Sequence, residues 1–194
     1  MKYNQIINNL NLLIDSGIRE FLEDSPQKYY NAKNEKNLYK DNLNKIKDLS
    51  ELEIAIKNFN GCNLKNSAKN TVFADGNPNA KVMFIGEAPG KDEDIKGIPF
   101  VGLAGQLLDK MLFSIKLDRS KVYITNIIPW RPPGNRQPTT QEMLLCVPFI
   151  QKHIELVRPK ILVLLGGTAT KALLLLDEGI MKSRGKWHKY SSYG

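Results

Sequence analysis

The sequence predicts an α/β protein built on a short parallel sheet, with a helical extension ahead of it. Three short, apolar, β-branched-rich runs carry this, at 81–86 (KVMFIG), 121–126 (KVYITN) and 160–166 (KILVLLG). Each is bounded by polar or glycine residues, as strands are. Stretches with helical spacing separate them, above all 140–157. A strand-to-strand period of about 35–40 residues leaves room for a helix in every crossover, which means parallel pairing with right-handed connections.

Taken in order, Ile6, Leu10, Leu13, Ile14, Gly17 and Phe21 recur near helical spacing and predict an amphipathic helix over 3–22. Residues 24–47 are polar and Lys/Asn-rich, and are expected to form a linker of low order. Ser50 to Glu53 has the spacing of a capping box and predicts a short helix through about Phe59. A loop region opens at Gly61-Cys62 and ends in a turn at Gly76-Asn77-Pro78-Asn79, just ahead of the first strand. That strand ends at Gly86 and delivers a polar, glycine-rich loop. Leu103, Leu107, Leu108, Met111 and Leu112 then predict a helix that faces the sheet. After the third strand, Gly166-Gly167 leads into a helix at about Ala169–Leu176, and no fourth strand is expected. The domain boundary implied is near residue 60: extension and linker over 1–60, the α/β domain over 61–194.

Apolar content of 42% with 25% charged residues is that of a water-soluble globular chain. No apolar run has the length of a membrane span and the first residues lack a signal-peptide core, so the expected location is the cytoplasm. The net charge of +8 lies wholly in the α/β domain: residues 1–60 carry nine bases and nine acids, the remainder nineteen and eleven. That points to a polyanionic partner, although 22 of the 28 bases are Lys, as biased coding would also give. Two cysteines, Cys62 and Cys146, stand outside any CxxC pair and read as reduced thiols.

The loop after the first strand stands where open α/β sheets build ligand sites. It is not a Walker loop: GEAPGK has three residues between its glycines where four are needed, and Asp92 follows Lys91 where Ser or Thr should bind magnesium. A dinucleotide GxGxxG is absent as well. Gly90 and Gly97 permit close backbone approach. Pro99-Phe100 fixes an aromatic ring that reads equally as a stacking platform or as core. Asn126, at the second strand's tip, reads equally as a base-edge reader or as a turn residue. Arg131 and Arg136 flank a stiff Pro-Pro-Gly loop suited to phosphates, or simply solvated.

GEAPGKDEDIKGIPFVGLAGQLLDKML, VYITNIIPWRPPGNRQPTTQE, Cys146 and PKILVLLGGTA together resemble the family-4 uracil-DNA glycosylases, the iron–sulfur branch of that superfamily, from about Cys62 to Trp187. The resemblance implies a three-layer α/β/α fold and hydrolysis of the N-glycosidic bond of deoxyuridine in DNA, on a base flipped from the stack. It implies catalytic roles for Glu87 and Glu93, a uracil site at Gly86, Ala88, Gly90, Phe100 and Asn126, and DNA contacts at Arg131 and Arg136. Ala88 stands where other branches place a water-activating Asp, so cleavage is expected to lean on leaving-group and oxocarbenium stabilisation.

Two departures from the family shape further expectations. Of four cluster-ligand positions, Cys62 and Cys146 match while Lys65 and Trp130 replace cysteines. No metal and no cofactor are therefore expected. The family's His-Pro motif should follow RGKW and is not reached by Gly194; His188 reads as a surface residue and His153 as structural. Slow turnover is expected, with a catalytically inactive uracil- and DNA-binding remnant as the alternative. The expected partner is uracil-containing DNA, with no membrane and a monomeric state.

Overall fold

The computed structural model describes residues 42–174 and 179–191. The helix expected over 3–22, and the linker up to residue 41, lie outside the described residues. Residues 42–194 form one compact unit. Its centre is a four-stranded sheet in the order β1 (Asp75–Gly76), β3 (Tyr123–Asn126), β2 (Val82–Gly86), β4 (Ile161–Leu164). β2 pairs parallel with both β3 and β4, as the crossovers predict, while β1 pairs antiparallel with β3. This two-residue β1 is the fourth strand that the sequence does not announce, because two residues carry no alternation to read.

β2 and β3 are buried on both faces, hence their unbroken apolar runs. Alternation along β3 sends Ile124 one way and Tyr123 the other. Ile124, Phe84 and Val122 meet Leu108 and Leu112 of helix α4 (Leu103–Ser114). Tyr123 meets helix α5 (Thr140–Val157), its hydroxyl 3.0 Å from His153 Nδ1. Helices thus flank the sheet as the outer layers of a three-layer α/β/α fold. Burial alone pushes His153 down to about 3, so it stays neutral and structural.

Two elements differ from expectation. Helix α1 (Leu49–Asn58) is capped by Asp48, whose side chain accepts from Glu51 N at 2.9 Å, while Glu51 Oε2 accepts from Lys47 N at 2.7 Å. The cap therefore sits two residues ahead of Ser50. α1 buries Leu52 and Ile56 and packs on α5, and Leu43 is buried too. The compact unit accordingly begins at Asn42, within the expected linker. In α4 the buried face is Gly105, Leu108 and Leu112, whereas Leu103, Leu107 and Met111 are exposed. A Cβ on Gly105 would overlap the Phe100 carbonyl. That contact fixes the rotation of α4, and apolar spacing alone cannot choose between adjoining faces.

The remaining helices are short: α2 (Leu64–Ser67), α3 (Lys91–Lys96), α6 (Gly167–Leu174) and α7 (Ile180–Ser183). No helix among the described residues is long and apolar enough to cross a membrane.

α5 starts with a capping box between Thr139 and Glu142, and Arg136 adds two bonds to the Glu142 carboxylate at 2.8 and 2.6 Å. Arg136 holds that carboxyl at about 2, below its ordinary 4.5. A depressed carboxyl pKa contributes stability that is complete above the ordinary value and lost as pH falls through the folded one. Thermal midpoints should therefore fall between pH 4.5 and about 2, and Glu142→Gln should flatten that part of the profile. An unchanged slope in the variant would remove this pair from the acid transition.

Candidate active site

β2 and β3 end side by side, with Gly86 in register with Asn126. Pairing continues beyond the strands, since Ile127 N donates to Gly86 O at 2.9 Å and Ile128 N to Glu87 O at 3.0 Å. Thr125 Oγ1 donates to Phe73 O at 2.7 Å, tying the tip of β3 to the preceding loop. Asn126 is buried at this tip. A Cβ on Gly86 would overlap Asn126 Oδ1 and fall 2.5 Å from Phe100 Cζ. An amide, an aromatic ring and a bare backbone thus converge where Gly86 has no side chain. The sequence-based assignments of Gly86, Phe100 and Asn126 come together in space.

Phe100 reaches this point with φ 56°, in the left-handed region that bulky residues rarely occupy. Gly105 leaves room for its carbonyl, and Arg119 Nη2 donates to that oxygen. The same guanidinium reaches Pro99 O at 3.1 Å, Asp75 Oδ2 at 2.7 Å and, through Nε, Asp109 Oδ1 at 2.8 Å. Sequence reasoning missed Arg119. In LDRSK it reads as an ordinary surface base, and only the folded chain assembles its four acceptors.

Glu93 is buried, and its carboxylate accepts three backbone amides: Gly90 at 3.1 Å, Val101 at 2.9 Å and Gly102 at 2.8 Å. Asp94 accepts from Lys69 N and Asn70 N at 2.8 and 3.2 Å, and Asn70 Nδ2 returns to Asp94 O at 2.7 Å. The acidic run that reads as a solvated loop is instead a short helix, α3, whose acids clip the loop into shape. Glu93 was expected to be catalytic; in the structure both its oxygens accept backbone amides of the loop.

Glu87 is half-buried, and Thr168 Oγ1, in the first turn of α6, donates to its Oε2. Thr168 also went unnoticed, being one polar residue in GGTATK. Ala88 is half-buried beside it, with a methyl group that cannot accept a proton. The two arginines of the stiff loop part company. Arg131 Nε donates to Asn135 Oδ1 at 2.7 Å, while Arg136 is engaged with Glu142. His188 is exposed, as expected.

A second cluster surrounds the cysteines, both buried. The Cys146 thiol bonds to Cys62 and brings its pKa down to about 7 against the effect of burial. The same bond, together with burial, pushes the Cys146 thiol up. Trp130 is buried beside Phe59 and Phe149, with ring centroids at 6.3 and 6.5 Å, and its Nε1 donates to Thr71 Oγ1 at 3.1 Å. Lys65 Nζ donates to Asn60 Oδ1 at 2.8 Å.

The family model for the uracil DNA glycosylase superfamily matches residues 73–193. The type-4 uracil-DNA glycosylase of Saccharolobus solfataricus is 42% identical over 159 residues, covering 79% of this chain and 71% of the relative. That of Archaeoglobus fulgidus is 39% identical over 153 residues, 77% of each chain. That of Sulfurisphaera tokodaii is 45% identical over 132 residues, 68% of this chain and 57% of the relative.

These relatives overturn the expectation that the protein uses no cofactor, because the type-4 enzymes are the branch that carries a [4Fe–4S] cluster. Of the four matching positions, Cys62 and Cys146 bring thiols together, whereas Lys65 and Trp130 offer no sulfur. Among the described residues no group of three or more His, Cys, Asp or Glu gathers to hold a metal. The residues present do not make a four-thiolate cage. By the span of the family match and by these identities, the chain belongs to the uracil-DNA glycosylase superfamily and, within it, to the type-4 branch.

Proposed function

We propose that this protein hydrolyses the N-glycosidic bond of deoxyuridine in DNA, and that the space bounded by Gly86, Phe100 and Asn126 receives the flipped uracil. The convergence of amide, ring and bare backbone carries this reading. A flipped pyrimidine needs a flat apolar surface on one face and a fixed donor–acceptor pair at its edge. The Phe100 ring supplies the first. The Asn126 amide supplies the second, its NH₂ to uracil O4 and its oxygen to N3–H. The backbone around Ala88 and Gly90 closes the remaining side.

In the reaction the C1′–N1 bond breaks and its electron pair leaves with the base as a uracil anion. Water adds to C1′, and a proton passes in net from that water to the base. With Ala88 unable to act as base, the barrier is lowered by stabilising charge rather than by activating water. Glu87, its carboxylate oriented by Thr168, is placed to favour the cationic sugar. Glu93 acts by holding the loop. Arg131 is the better phosphate contact of the two loop arginines, because Arg136 is committed to Glu142. A uracil-binding module without turnover is disfavoured, since the relatives are glycosylases by name. A monomer acting in the cytoplasm, where the DNA is, completes the reading.

The test is release of uracil from a uracil-containing oligonucleotide, against an undamaged control. Phe100→Ala should lose stacking worth ~1–3 kcal/mol in uracil affinity. Asn126→Asp should lose ~1–3 kcal/mol of preference for uracil over cytosine, because a donor becomes an acceptor. Unchanged affinity and selectivity in both variants would remove the pocket.

A further inference from the structure

We infer that Arg119 is a positioning residue for the base-stacking ring: its guanidinium holds Phe100 in the left-handed conformation that turns the ring toward Gly86 and Asn126. The inference rests on the uracil pocket proposed above and adds to it a residue 19 positions along the chain from the ring it serves.

A phenylalanine at φ 56° is strained, and such strain persists only where the surroundings over-determine it. Two devices do so here. Gly105 leaves a hollow that accepts the Phe100 carbonyl from one side. Arg119 binds the carbonyls of both Pro99 and Phe100 from the other. The guanidinium is itself fixed by carboxylates from two separate elements, Asp75 of β1 and Asp109 of α4. A fork with five donors can serve four acceptors in one plane, which a lysine ammonium cannot. Nε, Nη1 and Nη2 are all engaged inside the protein and the side chain is only 24% exposed. Arg119 is therefore not built to contact a DNA phosphate, although its charge alone would suggest it.

The test compares Arg119→Lys, Phe100→Ala and the double variant in the full chain. The probes are free uracil as competitive inhibitor and a uracil-containing single strand as substrate, at several salt concentrations. A second variant, Asp109→Asn, loosens one anchor of the guanidinium without removing it. Arg119→Lys should weaken uracil inhibition about tenfold, roughly half of a stacking contact. Asp109→Asn should weaken it by a smaller factor in the same direction. In the Phe100→Ala background Arg119→Lys should add nothing, because the ring it places is gone. In a charge-removing variant, Arg119→Gln, the salt dependence of DNA binding should not change.

An equal loss in both backgrounds would reduce Arg119 to a general stabiliser. In Arg119→Gln, which removes the charge that lysine keeps, a salt slope lowered by about one would make Arg119 a phosphate contact. Unaltered inhibition in Arg119→Lys would also overturn the proposal. A wild-type chain that neither releases nor binds uracil would overturn the pocket instead. The crystal structure of Arg119→Lys then decides on Arg119 alone, since a Phe100 that keeps its left-handed φ would refute the positioning role.

Discussion

Gly86→Ala should abolish uracil release while leaving the sheet folded. The substitution adds one methyl group where Asn126 Oδ1 and Phe100 Cζ already converge. Both neighbours are ends of side chains, so they can turn aside without moving the strands, and Gly86 does not have positive φ. The main-chain pairing of β2 and β3 needs no change. What is lost is the shared space and the alignment of ring and amide. Misplacement by about 1 Å costs on the order of 10²-fold in rate, and the steric block adds to that. Circular dichroism and melting temperature should stay near wild type while uracil-dependent cleavage disappears. A Gly86→Ala chain that still releases uracil at wild-type speed would show that the base binds elsewhere.

Glu93→Ala should be the most damaging single change for stability in the loop. It strips the acceptor from the amides of Gly90, Val101 and Gly102 around a buried position. An unsatisfied buried donor costs ~1–3 kcal/mol, so with partial access of water a loss of about 3–5 kcal/mol follows. Glu93→Gln keeps one acceptor oxygen and the shape, and should lose about half as much. Activity should fall in both variants with the order of the loop, and denaturant midpoints should separate them. If Glu93→Gln is as stable as wild type and yet inactive, the carboxylate acts in the chemistry and not through the backbone.

Much of this architecture is legible in the sequence because its central strands, β2 and β3, are buried on both faces. KVMFIG and KVYITN admit few other readings, and their tips mark Gly86 and Asn126. Helical spacing over 140–157 places α5 to the residue. What is not legible depends on contacts between distant residues. The rotation of α4 follows from one carbonyl against Gly105. The partners of Glu93 are three amides that a local pattern does not display. Arg119 and Thr168 are single polar residues in ordinary contexts, and nothing near them in sequence names their partners. Residues ahead of 60 join the compact unit for a related reason. Leu43, Leu52 and Ile56 are sparse among polar neighbours, and only the folded unit makes them core.

The strand order carries a consequence for how the molecule acquires its activity. β2 is central, and both of its neighbours come later in the chain: Gly86 meets Asn126, and Met83 meets Leu162 about 80 residues on. Neither pairing is rewarded until a long loop has closed, which makes such a sheet slow to form. The proposed uracil pocket sits at the tips of these late pairings, and Phe100, its proposed aromatic wall, is held by an arginine that must also find Asp75 and Asp109. Helices can therefore be complete while the pocket is still open. During refolding, the ability to bind uracil should return after the helical signal, in step with the burial of Trp130, four residues beyond Asn126.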